Sequence, residues 1–220
     1  SNLTTAVKNI FNIYDPKIIA VHTTCLSETI GDDLNALIQG MDIPEGKYVV
    51  HTNTPSYKGS HITGFSNMVA SFIQYLSVSR GRSNGRLAIF PGFVNPGDMR
   101  ELKRIADIMG VSYTLLPDTS GVMDSPMTGR FSLYPRGGTK VEEIVQLGDC
   151  ISSIALGKFA SEAAAEALYK KCNVDYQLLG MPIGVGRTDE YILALQEFTQ
   201  EEVPYQLEEE RGQLVDILID

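Results

Sequence analysis

The 220-residue sequence predicts an α/β fold of Rossmann-like units, with mainly parallel sheets covered by helices. Three observations carry this. Hydrophobic residues make up 43% and charged residues 20%, a globular composition with room for one large α/β domain or two small ones. Short apolar runs are continuous rather than alternating, as in strands buried on both faces. Those runs alternate with segments whose apolar residues recur at helical spacing, which is the signature of a covered parallel sheet.

The elements follow in chain order. Residues 17–22 read as a strand, with Ile18, Ile19, Ala20 and Val21 as its apolar run. A loop spans 23–31 and a helix 32–39, where Asp32 and Asp33 suit the positive end of the helix dipole. A second strand fits 47–51, a long polar loop 52–64, and a helix 66–76 with Met68, Phe72, Ile73 and Leu76 on one face. The polar, glycine-containing stretch 77–85 reads as an inter-domain linker.

The pattern then restarts with a strand at 87–90. Asn95-Pro96 supplies an N-cap and a proline at the first helical position. Met99, Leu102, Ile105 and Met109 line that helix, Gly110 ends it, and a strand follows at 111–116. Residues 118–140 form a long Gly-, Pro-, Ser- and Thr-rich loop, a length usually reserved for function or for covering a neighbour. A helix at 141–147, a strand at 151–156, an alanine-rich helix at 161–171, a strand at 176–179 and a helix at 188–199 complete the series.

The formal charge is −9, which argues against nucleic acid and anionic membranes as partners. No apolar run approaches the roughly 20 residues of a membrane span, and no N-terminal stretch reads as a signal peptide. Cys25, Cys150 and Cys172 are widely spaced and form no CxxC, so they read as reduced thiols of a cytoplasmic protein. The chain opens Ser1-Asn2 and closes within the apolar stretch 214–219, which predicts an internal piece of a longer protein.

Ligands of open parallel sheets bind at the carboxyl ends of strands. Cys25 falls just past the first strand and Ser56 just past the second, so neighbouring strands would bring them close. The loop between His51 and Gly64 is dense in polar side chains; Pro55 holds Thr54 extended, and His51 and His61 read as hydrogen-bonded structural histidines before they read as ligands or bases. Gly184-Val185-Gly186-Arg187-Thr188-Asp189 lacks the third glycine of a dinucleotide fingerprint and reads as a turn into a helix. Glu208-Glu209-Glu210-Arg211 reads as a solvated helix face. Asp216 and Asp220, four apart, share a helix face; as a pair they read as exposed acids or as part of a cation site.

Six segments make a family resemblance. HTTCLSETIGDDL (22–34) and HTNTPSYKGSHITGF (51–65) resemble the P-cluster cysteine and serine segments of nitrogenase component 1 β chains. PGFVNPGDMRELKR (91–104), PDTSGVMDSPMTGRFSLYPRGGTK (117–140), PIGVGRTDEY (182–191) and EEERGQLVDILID (208–220) continue in the same order. The wording is most similar to the iron-only form.

The resemblance implies residues 1–78 as a partial first domain carrying the ligand loops, and 79–220 as a second Rossmann-like domain plus a helix leading to a missing third. It implies Cys25 as a thiolate ligand of the iron–sulfur P-cluster and Ser56 as a redox-dependent one. Asp216 and Asp220 are implied to help bind a cation between β subunits. The implied partners are the α subunit, a second β subunit and the MgATP-hydrolysing reductase (the iron protein). The α subunit would carry the cofactor that reduces dinitrogen. Other cluster cysteines would precede this chain, so alone it is expected to be inactive and without a cluster. A cofactor-assembly scaffold, a dark-operative chlorophyll-type reductase subunit and a non-redox α/β small-molecule binding module are the alternatives.

Overall fold

The computed structural model describes residues 2–31 and 33–219. Two parallel sheets organise the chain. In the first, β1 (Ile18–His22) pairs with β2 (Tyr48–Thr52) in register from Ile18↔Tyr48 to His22↔Thr52. The second has the order β4-β3-β5-β6, with β3 Leu87–Phe90, β4 Tyr113–Leu115, β5 Ser152–Leu156 and β6 Tyr176–Leu179. Every strand pair among the described residues is parallel.

The helices are α1 (Asn2–Tyr14), α2 (Cys25–Ile30), α3 (Leu34–Gln39), α4 (His61–Leu76), α5 (Pro96–Ile108), α6 (Val141–Val145), α7 (Lys158–Cys172), α8 (Val185–Thr199) and α9 (Tyr205–Ile219). The pleat of the second sheet sorts its side chains to two cores. Leu87, Ile89, Ile154 and Leu156 face α5 and α8 and meet Met99, Leu102, Ile105, Tyr191 and Leu195. Ala88, Phe90 and Ala155 face the other way and meet α4 and α7.

That second core is continuous with the first sheet, because Val50 of β2 and Met68, Ala70 and Ile73 of α4 belong to it together with Ala164, Ala165 and Leu168 of α7. The sheets therefore separate near residue 78 while the packing runs across it. Alanines at the α4–α7 contact allow close approach. Lys171 closes the end of α4 by donating to the Ile73 and Gln74 carbonyls, at 3.3 and 2.5 Å. A smaller core of Val7, Phe11, Ile19, Ile38 and Val49 seals the outer face of the first sheet.

Four local expectations change. The spacing of Leu3, Val7, Ile10 and Phe11 makes α1, a helix that the sequence reading did not assign. The 23–31 stretch holds α2, closed by Gly31 in the left-handed region (φ 82). The strand β1 is not buried on both faces. Only Ile19 is fully buried and Ala20 is exposed, since β1 pairs on one edge only among the described residues. The helices α4, α7 and α8 begin three to five residues earlier than their apolar stripes, at capping residues Ser60, Gly157 and Gly184.

Candidate functional site

The two strands of the first sheet do not part at their ends. Thr23 N–H donates to the Thr52 carbonyl at 3.4 Å. Thr54 N–H donates to Thr23 Oγ1 at 2.8 Å, and Thr54 Oγ1 returns a bond to the Thr23 carbonyl at 2.9 Å. Thr23 is buried, so this lacing is a fixed step from which both loops depart. Cys25 stands two residues beyond Thr23, at the first turn of α2, and Ser56 two residues beyond Thr54. Both are exposed. Topology thus brings the two sequence-predicted residues to the same strand-end edge.

The second loop is shaped by its own chemistry. Pro55 is buried, and Lys58 N–H donates to its carbonyl at 3.1 Å, making a tight turn. Gly59 adopts φ 86, and a Cβ there would lie 2.5 Å from Thr63 Oγ1. Thr63 is the partner of Ser60 in the box that caps α4, so glycine is required at 59. The loop walls a cleft of about 680 Å³ lined by Glu28 of α2 and by Asn53, Ser56, Lys58, His61 and Asn67.

Chemically the edge offers one thiol and one hydroxyl. Thiolate is a soft donor suited to iron–sulfur clusters, and a serine oxygen is a harder one. Among the described residues no group of three or more His, Cys, Asp or Glu is placed to hold a metal ion. This donor set would fit only part of a cluster's coordination.

The other two cysteines belong to the interior. Cys150 is buried beside Asn84, and burial pushes its thiol up to about 11. Cys172 is half-buried and burial pushes its thiol up too. Asp216 is exposed on α9, and Asp220 lies outside the described residues, as does Asp32. The Glu208–Arg211 run is only partly a solvated face. Arg104 of α5 donates to Glu210 at 2.7 Å and to Glu101 at 2.7 Å, and Arg211 donates to Asp189 of α8 at 2.8 Å. These pairs dock α9 onto α5 and α8. In the 184–189 turn Asp189 accepts from Arg211, and Arg187 pairs with Glu190 at 2.9 Å.

His51 is buried and structural. Its Nε2 lies 2.9 Å from Asn35 Oδ1 and 2.6 Å from the Tyr75 hydroxyl. Neither partner was evident beforehand, although Tyr75 stands off the apolar stripe of α4. His61 packs edge-on against Phe93.

The fold and this edge define a Rossmann-type α/β chain with thiol- and hydroxyl-bearing crossover loops at the carboxyl end of a parallel pair. The profile of the nitrogenase component 1 type oxidoreductases matches residues 1–220, and the chain belongs to that family. It is 55% identical to the nitrogenase molybdenum-iron protein beta chain of Clostridium pasteurianum, over 100% of this chain and 49% of that one. It is 39% identical to the beta chain of the same name from Nostoc sp., over 100% of this chain and 44% of that one. A solved structure described as nitrogenase Cp1 at pH 6.5 superposes with a TM-score of 0.98 at 55% identity, covering 100% of this chain and 49% of its own. The chain thus spans about half the length of the curated relatives it matches. Among the described residues no helix is long and apolar enough to cross a membrane.

Proposed function

We propose that this chain is the ligand-bearing part of a nitrogenase component 1 β subunit, in which Cys25 and Ser56 hold one side of the P-cluster. The observation that carries the reading is the Thr23–Thr54 lacing, which sets both residues two positions beyond one fixed step. Such a cluster, when bound, stores electrons and passes them on. Cys25 would present its sulfur as thiolate from the start of α2. Ser56 Oγ would keep its proton while it is not a ligand and release it into the open cleft when it becomes an oxygen donor. The buried Pro55 and the turn at 55–58 orient it without closing that cleft.

The α subunit would complete the coordination sphere and carry the dinitrogen-reducing cofactor, and the MgATP-dependent reductase would deliver electrons. The relatives named above are molybdenum-iron beta chains, which favours that form over the iron-only form expected from the sequence wording. Their names also favour the β-subunit reading over an assembly scaffold or a chlorophyll-type reductase subunit. Asp216, with Asp220, would give part of a cation site completed by a second β subunit.

The test is iron content and electron paramagnetic resonance of the full-length β subunit assembled with its α subunit. Cys25→Ala is expected to lose cluster iron, while Cys172→Ala retains it. Ser56→Ala is expected to keep the iron and to change only the oxidised-state signal. Unchanged iron in Cys25→Ala would overturn the assignment.

A further inference from the structure

Three polar side chains from three elements meet around the buried His51 ring, with Asn35 and Tyr75 reaching it from exposed positions. His51 comes from β2, Asn35 from α3 and Tyr75 from α4. With Asn35 Oδ1 turned towards both partners, the set closes when the ring proton sits on Nε2. Nε2–H donates towards Asn35 Oδ1 at 2.9 Å and towards the Tyr75 oxygen at 2.6 Å, and the Tyr75 hydroxyl donates to the same Asn35 oxygen at 3.3 Å. Nε2, the Tyr75 hydroxyl and Asn35 Oδ1 then all have partners. His51 Nδ1 does not: among the described residues it is the one buried side-chain nitrogen or oxygen without a hydrogen bond.

A bare, buried Nδ1 lone pair is tolerable. A protonated Nδ1 there is a charged donor with no acceptor, which is far more costly. Two titratable groups face the ring from packed elements. Asp33, ahead of α3, favours the charged ring, but its own carboxylate caps Ala36 N–H at 3.1 Å. Tyr75 carries no charge to oppose it, and partial desolvation pushes its hydroxyl pKa up. Burial outweighs Asp33 and pushes the imidazole below its ordinary 6.5.

We propose that Asn35, His51 and Tyr75 form an acid-released clasp that fixes α3 against α4. While His51 is neutral the clasp is shut. Acid adds a proton at Nδ1 and makes it a buried charged donor with no acceptor; turning that donor to water breaks the Nε2 contacts, and α3 separates from Tyr75. The inference does not depend on the cluster reading, because every group in it belongs to this chain and none is a proposed cluster ligand.

The sign follows from linkage. A histidine whose folded pKa lies below its unfolded value binds fewer protons folded than unfolded. Stability therefore falls as pH drops below about 6.5, by up to tenfold in the unfolding constant per pH unit, and levels off below the folded pKa. The experiment is a pH titration of the 220-residue chain by NMR, following the labelled His51 ring and the amides of residues 34–39, with His51→Gln to assign the ring. His51 is expected to titrate below 6.5, with the proton of its neutral form on Nε2 and the 34–39 amides shifting or broadening in step. His51→Gln is expected to remove the matching pH dependence of the melting temperature. If that variant does not fold, the wild-type titration decides alone. A His51 that titrates at or above 6.5, a neutral form protonated on Nδ1, or 34–39 amides indifferent to its titration would each overturn the clasp.

Discussion

After β5 the chain enters α7 with Gly157 alone between them, whereas after β2 residues 53–60 intervene before α4. The two strand ends also differ in what fills them. At β3 and β5 the space is closed: a Cβ at Gly92 would lie 2.9 Å from the Leu156 carbonyl oxygen, and one at Gly157 would lie 3.4 Å from Met181 Sδ. At β1 and β2 the backbones are laced by Thr23 and Thr54, and the side chains beyond them stay open around a cleft. In an open α/β sheet the crevice between strands whose connections run to opposite sides is the usual ligand position. In the second sheet that position lies between β3 and β5, where Gly92 and Met181 crowd it. The second sheet's strand ends are thus crowded at their first turns, and the first sheet's stay open around a cleft.

The largest expected effect lies where the halves join. Leu168 of α7 is fully buried in the core that also holds Val50, Ile73 and Phe90. Leu168→Ala removes methyl groups from a close-packed site and is expected to cost about 2–5 kcal/mol. Because that core crosses residue 78, loss should appear in both halves at once. We propose accordingly that 1–78 and 79–220, distinct as sheets, melt as one unit. Denaturant unfolding followed by hydrogen exchange checks this. Exchange rising only in 79–220 would make them separate folding units and would weaken the contrast drawn between two ends of one body.

A smaller effect is expected at the open edge. Thr23→Val keeps the shape but removes the acceptor for Thr54 N–H, while Thr54 Oγ1 still reaches the Thr23 carbonyl. One half-buried donor left without its partner costs about 1–3 kcal/mol, and nearby water should hold this case to the lower end. Hydrogen exchange should rise in 53–60 and stay unchanged in β3 and β5. An equal rise in the second sheet would mean that the edge is not a local structure.

The same contrast governs what the sequence could reveal. The second sheet was legible nearly throughout, because Leu87, Ile89, Ile154 and Leu156 are apolar for a reason their neighbours share. The alternation of strand and helix there leaves few topologies. The open edge was legible only in part. Cys25 and Ser56 are marked by position and by resemblance, but the Thr23–Thr54 lacing pairs residues 31 apart with no periodicity to announce it. The helix α2 was missed because six residues are too few to show a stripe. Asn35 and Tyr75 were missed as partners of His51 because polar contacts between three elements leave no pattern in any one of them. The ion pairs of α9 hid for the same reason: in sequence, Glu210 and Arg211 look like any charged helix face.

The smallest effect is expected at the far end of α9, a third kind of edge. Leu207 anchors the start of that helix in the core, and Arg104 and Arg211 tie its middle down. Beyond them Ile217 and Leu218 are exposed, as is Asp216. The open edge at Cys25 is held by a fixed step behind it, and the end of α9 has no such backing among the described contacts. Calcium takes about six to eight oxygens, so the carboxylates of Asp216 and Asp220 would fall short even if both were bidentate, with a second β subunit and water giving the rest. Calorimetric titration of calcium into this chain should therefore give no heat at micromolar concentrations, and Asp216→Asn should leave the melting temperature within error. In the assembled protein the same substitution should weaken cation retention. Tight calcium binding by the isolated chain would show a complete site at an edge that looks unsupported, and preorganisation would then not be what separates the chemical edge from the bare one.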